Sequence, residues 1–175
     1  MSLEHRARAK WPLQRECNEF YGNPDPEGSG VPSQAWEQEN LVPIVPPYRM
    51  YLAWDTRRVV KSFRIHRKVE PTLSRVMQKI FALYGSDQAV ENARMHLFGG
   101  SYNFRMMRGT AALSMHSWGC AIDLDPANNN FGRRWRGDSH MMPMEVVTIF
   151  EQEGFTWGGR WRRPDPMHFQ AARIK

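Results

Sequence analysis

Cysteine is almost missing from this sequence. Cys17 and Cys120 are the only two in 175 residues, and they lack the short spacing of a sulfur-ligated zinc site or a disulfide-rich scaffold. Neither requires a disulfide. Long apolar runs are missing as well: no stretch of about 18 apolar residues occurs, which argues against a spanning helix, and residues 1 to 11 are charged, without the apolar centre of an export signal. The expectation is a chain made in the cytoplasm without a signal peptide and with no stable membrane insertion. There is no long Lys/Arg tract and no nucleic-acid motif, so no nucleic acid is expected as partner. Internal repeats and low-complexity tracts are absent too.

What is present suits a packed core. Hydrophobic residues make up 41% of the chain and aromatics 12%, with seven Trp and nine Phe, enough to offset the ordering entropy of one domain of ordinary size. The net charge of +6 and pI near 9.7 favour polyanionic partners such as nucleic acid, anionic membrane or a bacterial wall, and the sign alone does not choose among them. The basic residues are scattered, as at Arg57-Arg58, Arg133-Arg134 and residues 160–163. They read as solvated surface charge or as a wall-attracting surface.

Residues 1–48 are rich in turn formers, notably Gly22-Asn23-Pro24-Asp25-Pro26 and Gly28-Ser29-Gly30, and read as a looped N-terminal wrapping segment of the same domain as residues 49–175. Short strands are expected over 49–54 and 59–65, with a turn at Asp55-Thr56. After Pro71, the spacing of Leu73, Val76, Met77, Ile80, Phe81 and Tyr84 predicts an amphipathic helix stopped by Gly85. A second helix is expected from near Pro143 to Glu153, with Val146, Val147 and Phe150 inward and Gly154 closing it. Residues 121–124 and 167–172 read as strands. Helices and strands mix without regular βαβ alternation, so the fold class is α+β.

Two segments carry chemistry. In the first, Ser114-Met115-His116-Ser117-Trp118-Gly119-Cys120-Ala121-Ile122-Asp123, a turn His and a strand carboxylate lie seven residues apart. The second, Pro164-Asp165-Pro166-Met167-His168, adds another His and another carboxylate. Two neutral imidazoles and one carboxylate suit a catalytic Zn²⁺ that keeps a coordination position for water. Such a metal acidifies the water and polarises a carbonyl, while a carboxylate that is not a ligand moves the proton. Asp165 is the candidate for that role, since the flanking prolines restrict its backbone.

The run Ser-x-His-x-x-Gly-x-Ala-x-Asp, met by Ser114, His116, Gly119, Ala121 and Asp123, resembles the signature of the zinc D-alanyl-D-alanine carboxypeptidases of the vancomycin-resistance type and the L-alanyl-D-glutamate endopeptidases of bacteriophages. The resemblance continues at Asp165-Pro166-Met167-His168 and covers roughly residues 99–172. It implies a Hedgehog-like and DD-peptidase-like α+β fold, a small antiparallel sheet with flanking helices, and a zinc peptidase domain over 49–175. It also implies His116, Asp123 and His168 as zinc ligands and Asp165 as general base. Tyr102-Asn103-Phe104-Arg105-Met106-Met107-Arg108-Gly109 is similar to the family's aromatic and Arg segment, which makes Arg105 the oxyanion donor, with Arg108 as the alternative.

The remaining candidates have blander readings. Asp125 could compete as a ligand, although capping or turn formation explains it well. His66, His96 and His140 read as structural or surface residues, and His5 as part of a loose terminus. Ser114 suits a hydrogen bond orienting the site rather than a nucleophile, and Cys120 a small buried residue. Trp157-Gly158-Gly159-Arg160-Trp161 could wall a substrate cleft or supply core tryptophans. The function implied by the resemblance is hydrolysis of a peptide bond in peptidoglycan stem peptides, between L-Ala and D-Glu, by a monomeric phage or prophage lysis enzyme that reaches the wall through a separate pore. Removal of a terminal D-Ala is the alternative within the family. A non-catalytic zinc-containing wall-binding or virion structural module is the alternative of another class.

Overall fold

The computed structural model describes residues 10–107, 109–138 and 140–174. Helices α1 (Cys17–Tyr21) and α2 (Gln34–Asn40) precede strands β1 (Leu41–Ile44), β2 (Tyr51–Leu52), β3 (Asp55–Val59) and β4 (Phe63–His66). Then come α3 (Glu70–Tyr84), α4 (Asp87–Asn92), β5 (Leu97–Gly100), β6 (Ala121–Leu124), α5 (Met144–Gln152), β7 (Thr156–Trp157) and β8 (His168–Gln170). The fold is α+β, as the mixed pattern of the sequence predicts. None of the described helices is long and apolar enough to cross a membrane.

The two periodic segments form the helices expected of them. In α3, Leu73, Val76, Met77 and Ile80 share one buried face, and the chain leaves the helix at Gly85, whose φ of 78° a side chain would strain. In α5, Val146, Val147 and Phe150 are buried, and Phe150 stacks on Phe169 of β8 with ring centroids 3.8 Å apart. That contact joins the helical layer to the sheet.

Six strands form the main sheet in the order β3-β2-β5-β6-β8-β7, antiparallel except for the β2–β5 pair. The parallel pair follows from chain economy: β4, α3 and α4 intervene between β2 and β5, which is the long crossover that parallel neighbours need. β1 and β4 make a separate two-stranded sheet. The expected hairpin differs in detail. Its turn falls on Ala53 and Trp54, and Asp55 already belongs to the return strand, where its carboxylate accepts from the Arg57 backbone and guanidinium at 3.3 and 2.9 Å. The strand-like run over 59–65 is broken, because Phe63 to His66 leave β3 to pair with β1.

The described part of the first forty-eight residues is turn-rich but contains α1, α2 and β1. It is tied to the chain's other end: the Tyr21 hydroxyl donates to the Ala171 carbonyl at 2.6 Å, and the Gln14 amide to the Arg173 carbonyl at 2.8 Å.

His66 shows what this wrapping does to one group. It is fully buried; its Nε2–H donates to the Tyr21 carbonyl at 3.0 Å, and its Nδ1 accepts from the Lys68 amide at 3.1 Å. Burial pushes its pKa from 6.5 down to about 4, with Lys68 and Arg67 adding to the effect against the opposing pull of the Tyr21 carbonyl. Well above pH 6.5 the ring is neutral in both folded and unfolded chains. As pH falls towards 4, the unfolded chain takes up a proton that the folded one refuses, so stability drops by at most about 3 kcal/mol. Thermal melts should therefore lose Tm over that window, and His66→Gln should flatten the loss. An unchanged slope in the variant would move the effect to another group.

Candidate metal centre

Strand periodicity builds the site. Asp123 on β6 lies directly opposite His168 on β8, and Ala121 opposite Gln170. The Leu124 amide bonds to the Met167 carbonyl and the Ala171 amide to the Cys120 carbonyl, so both pairs occupy non-hydrogen-bonded positions, where facing side chains come closest. Alternation then sends Asp123, His168 and Gln170 to one face and Ile122, Leu124 and Phe169 to the core. The bulge between Phe98 and Gly100 on β5 makes room beside Asp123: a Cβ at Gly99 would stand 2.9 Å from the Asp123 Cβ.

His116 comes from the 3₁₀ turn Met115–Trp118 just before β6, capped by the Ser114 hydroxyl, which accepts from the His116 amide at 3.4 Å. The turn closes at Gly119 in the left-handed region, where a Cβ would meet the His66 amide nitrogen at 3.0 Å. Ser114 thus orients the site, as its sequence context suggests.

The three side chains converge. His116 Nε2 is 3.2 Å from Asp123 Oδ2 and 3.2 Å from His168 Nδ1, which is itself 2.9 Å from Asp123 Oδ1. One ligand atom from each lies within 4.8 Å of the others, and all three residues are buried. Their outer nitrogens are already committed. His116 Nδ1–H donates to the Ser101 carbonyl at 2.6 Å, and His168 Nε2–H to the Gln170 Oε1 at 3.1 Å. The inner nitrogens face each other and the Asp123 carboxylate, so positive charge, either a metal ion or protons shared with the carboxylate, belongs among them.

With no ion bound, protons take that part. Burial raises the Asp123 carboxyl, but the charge and hydrogen bonds of His116 and His168 outweigh it and hold the group well below the usual carboxylate range. Burial lowers His168, and its bond to Asp123 overcomes that and raises it. The donor set of two imidazoles and one carboxylate fits zinc in a catalytic arrangement.

Asp165 sits in the loop before β8. Its amide donates to the Gly158 carbonyl at 2.9 Å, and its carbonyl accepts from the His168 amide at 3.0 Å. A Cβ at Gly158 would lie 2.5 Å from that carbonyl oxygen, so only glycine allows the approach. Burial pushes the Asp165 carboxyl up to about 6, with Asp123 adding to it and His168, His116 and Arg105 opposing. Its Oδ1 is shielded from solvent and has no hydrogen-bond partner among the described residues.

Arg105 is held through its backbone: Ser117 Oγ accepts from its amide at 3.0 Å and donates to its carbonyl at 2.9 Å. Its side chain is exposed and makes no ion pair among the described residues. Arg108 and His5 lie outside the described residues.

The other candidates have different work. Asp125, at φ 45°, takes a two-point bond from Arg94 at 2.7 and 2.9 Å and stays apart from the trio. Cys120 is fully buried, and its thiol donates to the Met115 carbonyl at 3.2 Å. The two tryptophans divide the alternatives: Trp157 is a core residue bonded to the Pro166 carbonyl at 2.8 Å, whereas the half-buried Trp161 ring lies 5.4 Å from His168.

Sequence reasoning passes over Ser101, Ser117, Gln14 and Gln170. Gln170 has a readable signal, since a residue two beyond a strand His shares its face. The Ser101 carbonyl has none. Gln170 is fixed by donation to the Ala172 carbonyl at 2.9 Å, and its Oε1 also accepts from Gln14 at 3.3 Å. Outer partners of this kind typically contribute 10- to 100-fold in metal affinity. Gln170→Met, which keeps the volume and removes the acceptor, should weaken zinc binding by about that factor, and Gln170→Glu should restore it. Competition with a chromophoric chelator measures both, and equal affinity in the Met variant would assign the orientation of His168 elsewhere.

No curated protein and no solved structure matches the chain. A family model does match: residues 108–171, less than half of the chain but including His116, Asp123, Asp165 and His168, are similar to the family described as D-alanyl-D-alanine carboxypeptidase.

Proposed function

We propose that this chain is a zinc peptidase that hydrolyses a peptide bond in the stem peptides of bacterial peptidoglycan. The observation that carries the reading is the convergence of His116, Asp123 and His168, with inner nitrogens turned to one another and to the carboxylate and outer ones bonded elsewhere, inside the stretch that resembles a peptidase family. These three residues would hold the ion through His116 Nε2, His168 Nδ1 and the Asp123 carboxylate. Bound there, zinc supplies Lewis acidity towards the scissile carbonyl and makes water acidic near neutral pH.

The chain's own residues do the rest. Asp165, the unpartnered carboxylate beside the trio, takes the proton of the attacking water and returns it to the leaving nitrogen. Arg105, anchored by Ser117 and free at its guanidinium, donates to the oxygen on which negative charge develops. Arg105→Ala should lower kcat about 100- to 1000-fold and change KM far less. If Arg108→Ala showed that pattern instead, the donor would be Arg108.

The bond we favour is L-Ala–D-Glu, on the strength of an Asp at position 165, the choice of the endopeptidase branch in the resemblance above. The protein then acts as a phage or prophage lysis enzyme, delivered to the wall through a separately made pore. Mass spectrometry of digested peptidoglycan tests this. New N-terminal D-Glu on released stem peptides is the expected product. Free D-Ala without it would make the chain a carboxypeptidase, and an uncut wall in the presence of zinc would leave a binding module.

A further inference from the structure

Two loops, one of them running into the candidate site at Asp165, carry positive charge. Residues 131–138 carry Arg133, Arg134 and Arg136, and the turn after Trp161 carries Arg162 and Arg163. The loops are joined: the Gly132 amide donates to the Pro164 carbonyl at 2.7 Å, and the Arg163 guanidinium lies 4.4 Å from the Phe131 ring centroid. Trp135 anchors the first loop by donating to the Met142 carbonyl at 2.9 Å and packing edge-on against Trp157. Pro164 precedes Asp165, so the charged surface is continuous with the loop that holds the proposed base.

All five arginines are exposed, and none pairs with a carboxylate among the described residues. Elsewhere ion pairs are common, although Arg58, Arg105 and Arg173 also make none among the described residues. Arg49, Arg64, Arg75, Arg94 and Arg160 each pair with a carboxylate at 2.7–3.2 Å. A cluster of uncompensated like charge repels itself and raises the local concentration of anions. Its positive charges are also uniform: no lysine occurs from residue 80 to residue 174, so each cation on the two loops is a guanidinium fork, the group that grips carboxylates or phosphates at two points, and the one carboxylate of the first loop, Asp138, accepts from the His140 amide.

We propose that this double loop is an exosite that holds the polycarboxylate wall polymer outside the cleft while one of its peptides is cut. The inference rests on the peptidase reading for the identity of the polymer. That polymer presents carboxylates on neighbouring stem peptides, an array that several forks on two tethered loops meet at once, and multipoint contact multiplies weak single pairs. Free peptide does not use the exosite.

The test separates binding from cutting. Full-length Asp165→Asn protein is sedimented with insoluble peptidoglycan stripped of phosphodiester polymers by hydrofluoric acid, and with the same walls after their carboxyls are capped as amides. Stripped walls should bind it, capping should weaken binding about tenfold or more, and added salt should do likewise. Arg133→Gln/Arg134→Gln/Arg136→Gln and, separately, Arg162→Gln/Arg163→Gln should weaken binding to stripped walls by a similar factor, at unchanged Tm. In the otherwise wild-type enzyme, the triple variant should cut a soluble stem peptide at the normal rate and walls more slowly. Unaltered wall binding in both variants would overturn the proposal, as would binding lost on hydrofluoric acid treatment or duplex DNA held in preference to the wall. Loss of soluble-peptide cutting in the triple variant would also overturn it, by putting those arginines in the cleft. An enzyme that binds walls in this way but cuts nothing would refute the peptidase reading alone.

Discussion

Asp165→Asn should retain zinc and lose turnover by about 100- to 10,000-fold, the range spanned by removal of a positioned acid–base group. The substitution keeps the shape of the side chain and removes its capacity to take a proton. The backbone bonds that fix the loop, from the Asp165 amide to the Gly158 carbonyl and from the His168 amide to the Asp165 carbonyl, remain available. Metal content and the far-ultraviolet spectrum should match the wild type, so the loss would appear in kcat alone. If the Asn variant cut wall peptides at the wild-type rate, Asp165 would not be the base.

His168→Ala should lose both metal and activity. The wild-type chain, saturated at a thousandfold excess of zinc over Kd, should gain about 4 kcal/mol of stability, because an ion that binds only the folded state draws the equilibrium towards it. The variant should gain almost none. A chelator should abolish wild-type activity, and zinc should restore it. Wild-type protein with no bound zinc, no zinc-dependent rise in Tm and no activity on adding zinc would sink the metal assignment.

Local order is legible in this chain, and long-range order is legible only where a motif carries it. α3 and α5 can be read from spacing because a helix buries residues three and four apart whatever lies opposite. The β4 segment is different. Its residues are as strand-prone as those of β3, and nothing local tells that Phe63 to His66 pair with β1 across some twenty intervening residues. Asp125 is similar: its turn is foreseeable, but its bond to Arg94 depends on the crossover that brings β5 beside β6. The convergence of His116, Asp123 and His168 is foreseeable through the family resemblance. Their outer bonds are not, since the Ser101 carbonyl belongs to the backbone and Gln170 becomes a partner only through the pairing of β6 with β8.

That pairing has a consequence for the order of folding. His168 and Phe169 are neighbours with opposite destinations, and a slip of one residue between β6 and β8 would exchange them, putting an imidazole into the core and a phenyl ring beside Asp123. The meeting of Asp123 with His168 is therefore the register of two strands whose facing residues are forty-five positions apart. It cannot exist as a local nucleus. An ion that prefers the assembled site selects the in-register chain over every slipped one, so zinc added during refolding should increase the yield of correctly paired protein more than it stabilises protein already folded.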